Sequence, residues 1–387
     1  MAEPVSHVQL GQAHEGPATA SRGTTDPVLE VKDLSVDFPT DDGVVHAVRG
    51  ISYAVWPGEV LAIVGESGSG KSVSSLAVMG LLPKTAKIGG SVTFQGRNIL
   101  GLKPKELNRF RGKDLAMIFQ DPMTSLNPVY TVGWQLAEAV RAHHDVSKRE
   151  ALSRAIDLLQ IVGIPNAKDR ASNYPHEFSG GMRQRAVIAM AMANDPDVII
   201  ADEPTTALDV TVQAQVLETL EKAQEETHAA IILITHDLGV VAGMADEVLV
   251  MYAGRAVEIG TVDDIYYRQR MPYTLGLIGS LPRLDTEGEV LTPITGAPPS
   301  LINLPPGCPF SPRCPLARQR CLEEEPPLYQ TTSPGHVAAC HFWEELEGDV
   351  AADEIFEVTA LDETPAVDMA ADPDTTAEAS RPDGGIR

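Results

Sequence analysis

Eight consecutive residues have a spacing that suits them to binding phosphate groups. The stretch follows the pattern G-x-x-x-x-G-K-S. Its members are Gly65, Glu66, Ser67, Gly68, Ser69, Gly70, Lys71 and Ser72. Glycines allow the backbone to curl so that successive N–H groups point at phosphate oxygens. In such a loop Lys71 would reach the β- and γ-phosphates, and the Ser72 hydroxyl would bind Mg²⁺.

The sequence on either side of this loop indicates how it is positioned. Glu59 to Val64 is a short apolar run typical of a buried strand, and Val73 to Met79 has the pattern of a helix. A strand, a glycine loop and a helix in succession place the positive end of the helix dipole at the phosphates. A chance glycine turn before a helix is the alternative, and the rest of the chain has to exclude it.

Polar residues directly after further apolar runs supply the other groups that phosphoryl transfer needs. They are Gln120, Asp202, Glu203 and His236. Asp202 would hold Mg²⁺ through water, and Glu203 would act as the general base on the attacking water. Gln120 would bridge Mg²⁺ and that water, and His236 would bind the γ-phosphate. Each residue alone has an ordinary structural explanation, but their joint occurrence at strand ends favours a nucleotide hydrolase.

A second stretch also has the properties of an anion-binding helix start. Ser179, Gly180 and Gly181 precede a helical pattern within Phe178–Arg185. One nucleotide does not need two phosphate sites from the same chain. We therefore expect this second site to serve a nucleotide bound by a partner subunit.

Length and charge narrow the class of protein. The chain has 387 residues, of which 43% are hydrophobic, enough for two domains or for one with appendages. The net charge is −24, and residues 344–387 carry fourteen Asp and Glu against two Arg. This acidic tail and residues 1–27 are predicted to be disordered. The chain has no basic stripe of the kind that nucleic-acid binding requires.

Targeting signals are not apparent in the sequence. Residues 1–26 lack a basic n-region and an apolar h-region, so we do not expect a signal peptide. No apolar run approaches the length of a transmembrane helix. We therefore expect a cytosolic protein that is soluble unless a partner holds it.

The order of the predicted elements indicates an α/β fold. Val28–Phe38 and Val44–Val55 alternate apolar and polar residues, which predicts an antiparallel β start. Strands then alternate with helices, which favours a mostly parallel sheet. Residues 131–193 are helical in pattern and must form a subdomain of their own. After about residue 270 the composition changes to Pro, Gly and turns, which indicates a separate loop-rich appendage.

All four cysteines of the chain lie in this appendage, at Cys308, Cys314, Cys321 and Cys340. In a reducing compartment such clustering indicates metal or cluster ligation rather than disulfides. The spacing differs from the paired cysteines of zinc ribbons, and four thiolates suit zinc or an iron–sulfur cluster alike. Four unligated cysteines are the alternative, although a segment so rich in loops needs a bound metal or a similar cross-link for its stability. Since the cysteines follow all the catalytic motifs, we expect them not to touch the nucleotide.

Residues 28–265 resemble the nucleotide-binding domain of ATP-binding cassette (ABC) proteins. The motifs occur in the order of that family: Walker A at Gly65–Ser72, the Q-loop at Gln120, the signature at Ser179–Gly181, Walker B ending at Asp202 with Glu203, the D-loop at 207–209, and the switch His236. The resemblance implies a RecA-like P-loop core with an antiparallel β subdomain and a helical subdomain. It also implies a head-to-tail dimer that holds two ATP molecules between Walker A of one subunit and the signature of the other.

Two parts of this resemblance need a separate explanation, the adenine-stacking position and the signature. Phe38 falls where the family has an aromatic residue that stacks on adenine, although it could equally be a core residue. The signature differs from the usual Leu-Ser-Gly-Gly-Gln at both ends, as Phe178 and Met182. Its Ser-Gly-Gly centre is intact, so we expect a working site.

Two further stretches are similar to the ATPase subunits of bacterial oligopeptide and dipeptide importers. These are residues 120–128 and the appendage, in which Pro272–Thr274 and Gly296–Ser300 precede the cysteines. The similarity implies an ATPase subunit that energises peptide import, and a nickel or other small-solute importer is the alternative. We divide the chain into a cassette at 28–265 and a C-terminal extension at 266–343, with tails at 1–27 and 344–387.

The same resemblance implies cofactors and partners. It favours a 4Fe–4S cluster over zinc at the four cysteines. It implies a second and different ATPase subunit, two membrane permease subunits, an extracytoplasmic substrate-binding protein and a place at the cytoplasmic face of the membrane.

A soluble ABC ATPase acting on nucleic acid or ribosomes is the rival class. Such proteins typically carry two cassettes or long coiled-coil insertions, and this chain has one cassette and neither insertion. A regulatory, non-hydrolysing cassette is disfavoured by Glu203 and His236.

Overall fold

The computed structural model of the chain describes residues 26–206, 208–280, 294–348 and 352–356. The strands and helices follow one another as β1 (Leu29–Thr40), β2 (Gly43–Val55), β3 (Val60–Val64), α1 (Lys71–Val78), β4 (Lys87–Phe94), β5 (Arg97–Asn98), α2 (Pro104–Leu107), β6 (Leu115–Ile118), α3 (Pro122–Ser125), α4 (Val132–Arg141), α5 (Lys148–Ile161), α6 (Ala167–Arg170), α7 (Gly180–Ala191), β7 (Val198–Asp202), α8 (Val210–Thr227), β8 (Ala230–Thr235), α9 (Leu238–Met244), β9 (Glu247–Tyr252), β10 (Arg255–Thr261), α10 (Val262–Tyr267), α11 (Pro272–Gly279), α12 (Gln319–Glu323), β11 (Tyr329–Gln330), β12 (Val337–Ala338) and α13 (Ala352–Ile355). Short 3₁₀ turns occur at Pro175–Glu177, Ser311–Arg313 and Trp343–Leu346.

The smaller sheet is antiparallel and has the strand order β2–β1–β4–β5. Its pairing shifts register within β1 between Val31 and Leu34, where Asp33 adopts a left-handed backbone with φ 49°. Val31 is buried before the shift, and Leu34 and Val36 are buried after it. The shift therefore keeps one apolar face of β1 toward the core, as the alternating sequence predicts.

The larger sheet has the strand order β11–β12–β10–β9–β3–β8–β7–β6. The strands from β9 to β6 in this order are parallel, and every residue of β3, β7 and β8 is buried. Parallel strands covered on both faces are uniformly apolar, which is why the sequence shows runs here rather than alternation. Their carboxyl ends lie along one edge, where the phosphate-binding loop and the polar residues of the other motifs follow.

Helices α4 to α7 form the helical subdomain that the sequence predicts between the Q-loop and Walker B strands. Thr131 caps α4 by accepting a hydrogen bond from Trp134 N–H, and Ser147 caps α5 in a reciprocal pair with Glu150. The helices enclose an apolar core that includes Leu136, Leu158, Leu159, Phe178 and Ile188. This finding, with the parallel sheet and the antiparallel sheet, confirms the predicted fold class.

The C-terminal extension joins the larger sheet of the cassette. β12 pairs antiparallel with β10, with Val337 opposite Ile259, and β11 pairs with β12 in turn. Tyr252 of β9 packs against Tyr273 and Phe310 of the extension, with ring centroids 4.6 and 5.4 Å away. The extension is therefore packed into the cassette rather than separate from it, and the boundary between residues 265 and 266 stays a prediction.

The acidic tail differs from expectation at its start. Leu346 and Phe356 are buried, and Arg270 donates a hydrogen bond from Nη1 to the Leu346 carbonyl oxygen at 2.6 Å. These apolar side chains were too few for the sequence to indicate order. The rest of the tail, 357–387, and the N-terminal residues 1–25 lie outside the described residues. No helix in the described part of the chain is both long enough and apolar enough to span a membrane.

Candidate functional site

The phosphate-binding loop (Gly65–Ser72) curves between β3 and α1 and requires glycine at two points. Gly65 has φ 148° and Gly70 has φ 104°. A Cβ atom on Gly65 would lie 2.2 Å from the Met251 carbonyl oxygen, and one on Gly70 would lie 2.3 Å from that of Ala47. Any other residue at either position would therefore push the loop away from β9 or β2.

Lys71 places its ammonium group at the centre of this loop. Its Nζ atom donates hydrogen bonds to the carbonyl oxygens of Gly65 at 2.7 Å and Glu66 at 3.0 Å, and the residue is only 4% exposed. Burial lowers the pKa of the Lys71 amine because the charged form loses solvation. The nearby carboxylates of Glu203, Asp202 and Glu66 oppose that shift. The loop thus holds a buried cation beside several acidic groups.

Ser72 and Asp202 bring the loop and the end of β7 together. Ser72 donates a hydrogen bond from Oγ to Asp202 Oδ1 at 2.9 Å. Asp202 is 6% exposed, and burial raises the pKa of its carboxyl group. Hydroxyl and carboxylate oxygens are ligands that suit Mg²⁺, and a divalent cation would favour the ionised carboxylate that burial disfavours. The two side chains therefore fit a magnesium site.

Glu203 connects three strand ends. Its Oε2 atom accepts hydrogen bonds from Gln120 Nε2 and from Thr206 Oγ1, both at 2.9 Å. Its Oε1 atom lies 3.3 Å from Nδ1 of His236. The residue itself has a left-handed backbone with φ 48°, and its N–H group donates to the Ile234 carbonyl oxygen. The structure thus assembles residues that the sequence singled out separately, and adds Thr206, which no sequence pattern indicated.

The signature residues lie at the exposed start of α7. Ser179 caps this helix by accepting a hydrogen bond from Met182 N–H at 3.3 Å. A Cβ atom on Gly181 would lie 2.6 Å from Val212 Cγ1, so close packing on α8 requires glycine there. Phe178 is buried in the helical subdomain, which shows that its departure from the usual leucine affects the core rather than the exposed Ser-Gly-Gly centre.

Comparison with known proteins gives the family. Residues 48–206 match the family model described as ABC transporter, and residues 257–321 match that described as oligopeptide/dipeptide transporter, C-terminal region. The oligopeptide transport ATP-binding protein OppD of Escherichia coli is 54% identical over 315 residues, which cover 81% of this chain and 93% of the relative. The dipeptide transport ATP-binding protein DppD of Bacillus subtilis is 53% identical, and the match covers 81% of this chain and 94% of the relative.

The chain belongs to the ABC transporter ATP-binding subunits of the oligopeptide/dipeptide type. OppD of Mycobacterium tuberculosis is 58% identical over 84% of this ABC subunit, but the match spans only 54% of the mycobacterial protein. Among solved structures, the ATP-binding cassette MJ0796, described as dimeric in a post-hydrolysis state with ADP and Pi, has a TM-score of 0.54 at 25% identity. It covers 60% of this chain and 98% of its own. CbiO1 from Clostridium perfringens has a TM-score of 0.53 at 29% identity and covers 62% of this chain and 91% of its own.

Phe38, the candidate adenine-stacking residue of this ABC subunit, lies in β1 opposite Val45. Its side chain is half-buried and packs against the core that lies between the two sheets. That position is compatible with both explanations that the sequence left open. The contact with adenine stays a prediction.

The four cysteines of the ABC subunit line one pocket, together with Phe310, Leu316 and Phe342. Burial raises the pKa of Cys308 to about 11 and those of Cys314 and Cys340 to about 12. Backbone N–H groups oppose this by pointing at the sulfur atoms, for example Phe342 N at 3.4 Å from Cys340 Sγ. The pocket therefore combines two buried and two half-buried cysteines, and backbone donors favour the ionised form of Cys308, Cys314 and Cys340.

These thiols do not form a site for a single ion. Across the described ranges, which include all four cysteines, no group of three or more His, Cys, Asp or Glu is placed to hold a metal ion. One zinc ion requires its thiolates to converge on a single point at bonds of about 2.3 Å. A four-iron cluster is likewise held by four cysteine thiolates. The described residues thus support neither a cluster nor a zinc ion over the other, and ligation at these cysteines stays a prediction.

Sequence reasoning missed the residues that connect this cysteine-rich segment to the phosphate-binding loop. Arg313, one residue before Cys314, pairs with the carboxylate of Glu66, and Tyr273 accepts a hydrogen bond from Glu66 N–H at 2.9 Å. The segment thus contacts the phosphate-binding loop through Arg313 and not through its cysteines. The expectation that the cysteines do not touch the nucleotide stays a prediction. Tyr273 lies in the stretch Pro272–Thr274 that the resemblance singled out, but neither that stretch nor the loop pattern, which leaves position 66 free, indicates a contact with Glu66.

Proposed function

We propose that this protein is the ATP-hydrolysing subunit of an ABC importer for di- and oligopeptides. The observation that carries the proposal is the convergence of Gln120 and His236 on Glu203, beside the hydrogen-bonded pair of Ser72 and Asp202. A nucleotide hydrolase needs a base, a metal site and a phosphate cradle within reach of one another. The peptide class is supported by the match to the oligopeptide/dipeptide transporter C-terminal region and by the names of the relatives.

The side chains have separate roles in the proposed reaction. Glu203 accepts a proton from the water whose oxygen attacks the γ-phosphorus, while the bond from that phosphorus to the β–γ bridging oxygen breaks and ADP leaves. Gln120 and His236 orient Glu203 and the water, and His236 binds a γ-phosphate oxygen in the proposed reaction. Ser72 and Asp202 would hold Mg²⁺, which stabilises negative charge on the phosphate oxygens when bound.

The exposed signature supports a head-to-tail dimer. Ser179 and Gly180 are exposed at the start of α7, and they lie in the helical subdomain rather than beside the loop of their own chain. A helix start of this kind binds anions through its free N–H groups. We infer that it completes the nucleotide site of a second ATPase subunit, and we propose a different chain as that subunit.

A groove beside the Q-loop is the surface that we propose for the membrane partners. It has a volume of about 550 Å³ and is lined by residues that include Met117, Phe119, Ala139, His143 and Met190. Phe119 is 41% exposed, and its neighbour along the chain is Gln120. A permease helix seated here would act directly on the residue that bonds Glu203. We propose two such permeases, a substrate-binding protein on the other side of the membrane, and a position at the cytoplasmic face.

The experiment that tests this function is co-purification with the membrane subunits, followed by a peptide-dependence assay. We expect permeases to co-purify, and we expect ATP hydrolysis by the assembled complex to rise with a short peptide but not with Ni²⁺. Replacing Phe119 by Glu should reduce the co-purified permease at least about tenfold, because it places a charge on an apolar surface. The matched control is Tyr267→Glu, at an aromatic residue that is 76% exposed.

If Ni²⁺ alone stimulates ATP hydrolysis, the protein belongs to a nickel importer of the same family and not to a peptide importer. Recovery of ribosomes or nucleic acid, with no membrane protein, would favour the soluble class of ABC ATPase. Equal permease recovery with Phe119→Glu and Tyr267→Glu would show that the groove does not bind the permeases.

We propose further that Cys308, Cys314, Cys321 and Cys340 hold a 4Fe–4S cluster. The support is the shared pocket and the N–H donors aimed at the sulfur atoms. Ligation would add to the stability that the extension gains by packing against the cassette. Zinc is the alternative.

Replacing Cys314 by Ser should abolish the cluster and lower the melting temperature of the extension. Anaerobically purified protein should be brown and contain four irons per chain, and the variant should be colourless. Arg320→Gln is the control, since it lies beside Cys321 and leaves all four thiols in place. A colourless wild-type protein that contains one zinc ion per chain would show that the cysteines bind zinc and not a cluster. A metal-free wild type and a variant of unchanged stability would contradict both.

A further inference from the structure

A half-buried ion pair joins the phosphate-binding loop to the C-terminal extension. Arg313 Nη1 lies 2.8 Å from Glu66 Oε2, and Arg313 Nη2 lies 2.9 Å from Glu66 Oε1. The two side chains are 6% and 25% exposed. A two-point contact between a guanidinium and a carboxylate fixes both position and orientation, which a single contact does not.

The rest of the guanidinium is also held by protein groups. Nη1 lies 3.3 Å from the Tyr252 hydroxyl, and Nε donates to the Thr295 carbonyl oxygen at 3.2 Å. Its carbon atom lies 5.8 Å from the centroid of the Tyr252 ring and 5.9 Å from that of Phe310. Since all three nitrogens of Arg313 are engaged, the side chain has one position in which its bonds are satisfied.

Glu66 is held at its backbone as well as at its side chain. Its N–H group donates to Tyr273 Oη at 2.9 Å, and its carbonyl oxygen accepts from Lys71 Nζ. Tyr273 is fully buried in the extension. The first turn of the loop is thereby held by two residues of the extension, Arg313 and Tyr273.

The cysteine-rich segment positions Arg313. The 3₁₀ turn Ser311–Arg313 lies between Cys308 and Cys314, and Cys314 N–H donates to the Ser311 carbonyl oxygen. The Cys308 N–H group donates to the Cys321 carbonyl oxygen at 2.8 Å, which closes the segment on itself. The place of the guanidinium therefore depends on this segment being folded.

We propose that Arg313 is a positioning residue for nucleotide binding, which holds Glu66 and with it the curvature of the phosphate-binding loop. The affinity for ATP then depends on the folded state of the cysteine-rich segment. This inference rests on the proposed function, since it assumes that the loop binds ATP. It assigns the extension a part in the nucleotide site that lies 247 residues away in sequence.

Removal of the guanidinium has two physical consequences. The loop loses its two-point anchor, and the Glu66 carboxylate is left without its partner close to the site of the phosphates. The carboxylate acts electrostatically on Lys71, so it is near enough to repel phosphate once Arg313 no longer balances its charge. Replacing Glu66 as well should remove the repulsion and restore part of the affinity.

The test is a double-mutant cycle, read as the Kd of the full chain for ATP and as kcat of the complex with its partners at saturating ATP. We expect Arg313→Gln to raise the Kd about tenfold and to change kcat less than twofold. Glu66→Gln should raise the Kd less, and the double variant should bind ATP more tightly than Arg313→Gln alone. Arg313→Lys should recover only part of the affinity, because an ammonium group cannot form the two-point contact. Arg320→Gln, whose ion pair with Glu324 lies within the extension, is the matched control.

The outcomes separate this inference from the proposed function. A wild-type chain that does not bind ATP would contradict the proposed function itself. A wild-type chain that binds ATP, together with an Arg313→Gln variant of unchanged Kd, would overturn the positioning role alone. If Arg313→Gln does not fold, Glu66→Gln decides the matter, because it breaks the same pair from the loop side. A normal Kd for Glu66→Gln, or a double variant no tighter than Arg313→Gln, would contradict the role.

Discussion

Replacing Glu203 by Gln should slow ATP hydrolysis by roughly 10²–10⁴-fold, the usual contribution of a general base, and leave ATP binding intact. Glu203 accepts hydrogen bonds from Gln120 and Thr206 through one oxygen, and the amide oxygen of Gln can accept the same bonds. The substitution therefore preserves the shape of the site and removes only the ability to take a proton. ATP should accumulate in a closed dimer of the assembled protein.

The measurement is ATP turnover of the complex with its partners, with the dimer followed by size-exclusion chromatography. Glu221→Gln is the matched control, since it makes the same substitution at an exposed position of α8. Turnover close to that of the wild type would show that Glu203 is not the base.

Replacing Lys71 by Ala should instead abolish tight ATP binding. The Lys71 ammonium group is buried and lies among carbonyl oxygens of its own loop. The loop sequence Gly65–Ser72 contains no second Lys or Arg that could replace its charge. Loss of its charge-assisted bonds to phosphate corresponds to about 3 kcal/mol, or on the order of 100-fold in Kd. Hydrolysis falls as a consequence of lost binding.

A fluorescent ATP analogue titrated against the full chain measures this effect. Lys168→Ala removes an exposed lysine of the helical subdomain and should leave the Kd unchanged. If Lys71→Ala binds the analogue as the wild type does, the loop does not use this lysine for phosphate. The two variants are complementary, because one should bind ATP without turnover and the other should fail to bind.

Much of the nucleotide site could be predicted because its parts follow a rule of sheet geometry. Gln120 and Glu203 are 83 residues apart, yet each follows an apolar run that had to be a buried strand. Parallel strands end at the same edge of a sheet, so residues directly after such runs are brought together whatever the loops between them do. The glycines and Lys71 of the loop could be assigned for a similar reason, since their roles depend on local backbone geometry.

The extension could not be predicted in this way because its contacts follow no period. β12 contributes only Val337 and Ala338 to the sheet, which is too short to show alternation in the sequence. Leu346 is buried and its carbonyl oxygen accepts a hydrogen bond from Arg270, 76 residues earlier in the chain, which composition cannot indicate. For this reason a segment rich in Pro and Gly was expected to be separate and is in fact packed into the cassette.

The sequence by itself determined the α/β cassette, the phosphate-binding loop and the order of its motifs, because these depend on apolar periodicity and on residues close together in the chain. Only the tertiary structure decided that Arg313 contacts Glu66 and that four cysteines spread over Cys308–Cys340 line one pocket. Such contacts depend on how two irregular segments pack, and packing is set by the shapes of many side chains at once rather than by any local pattern. The connection between the extension and the phosphate-binding loop is a property of the fold.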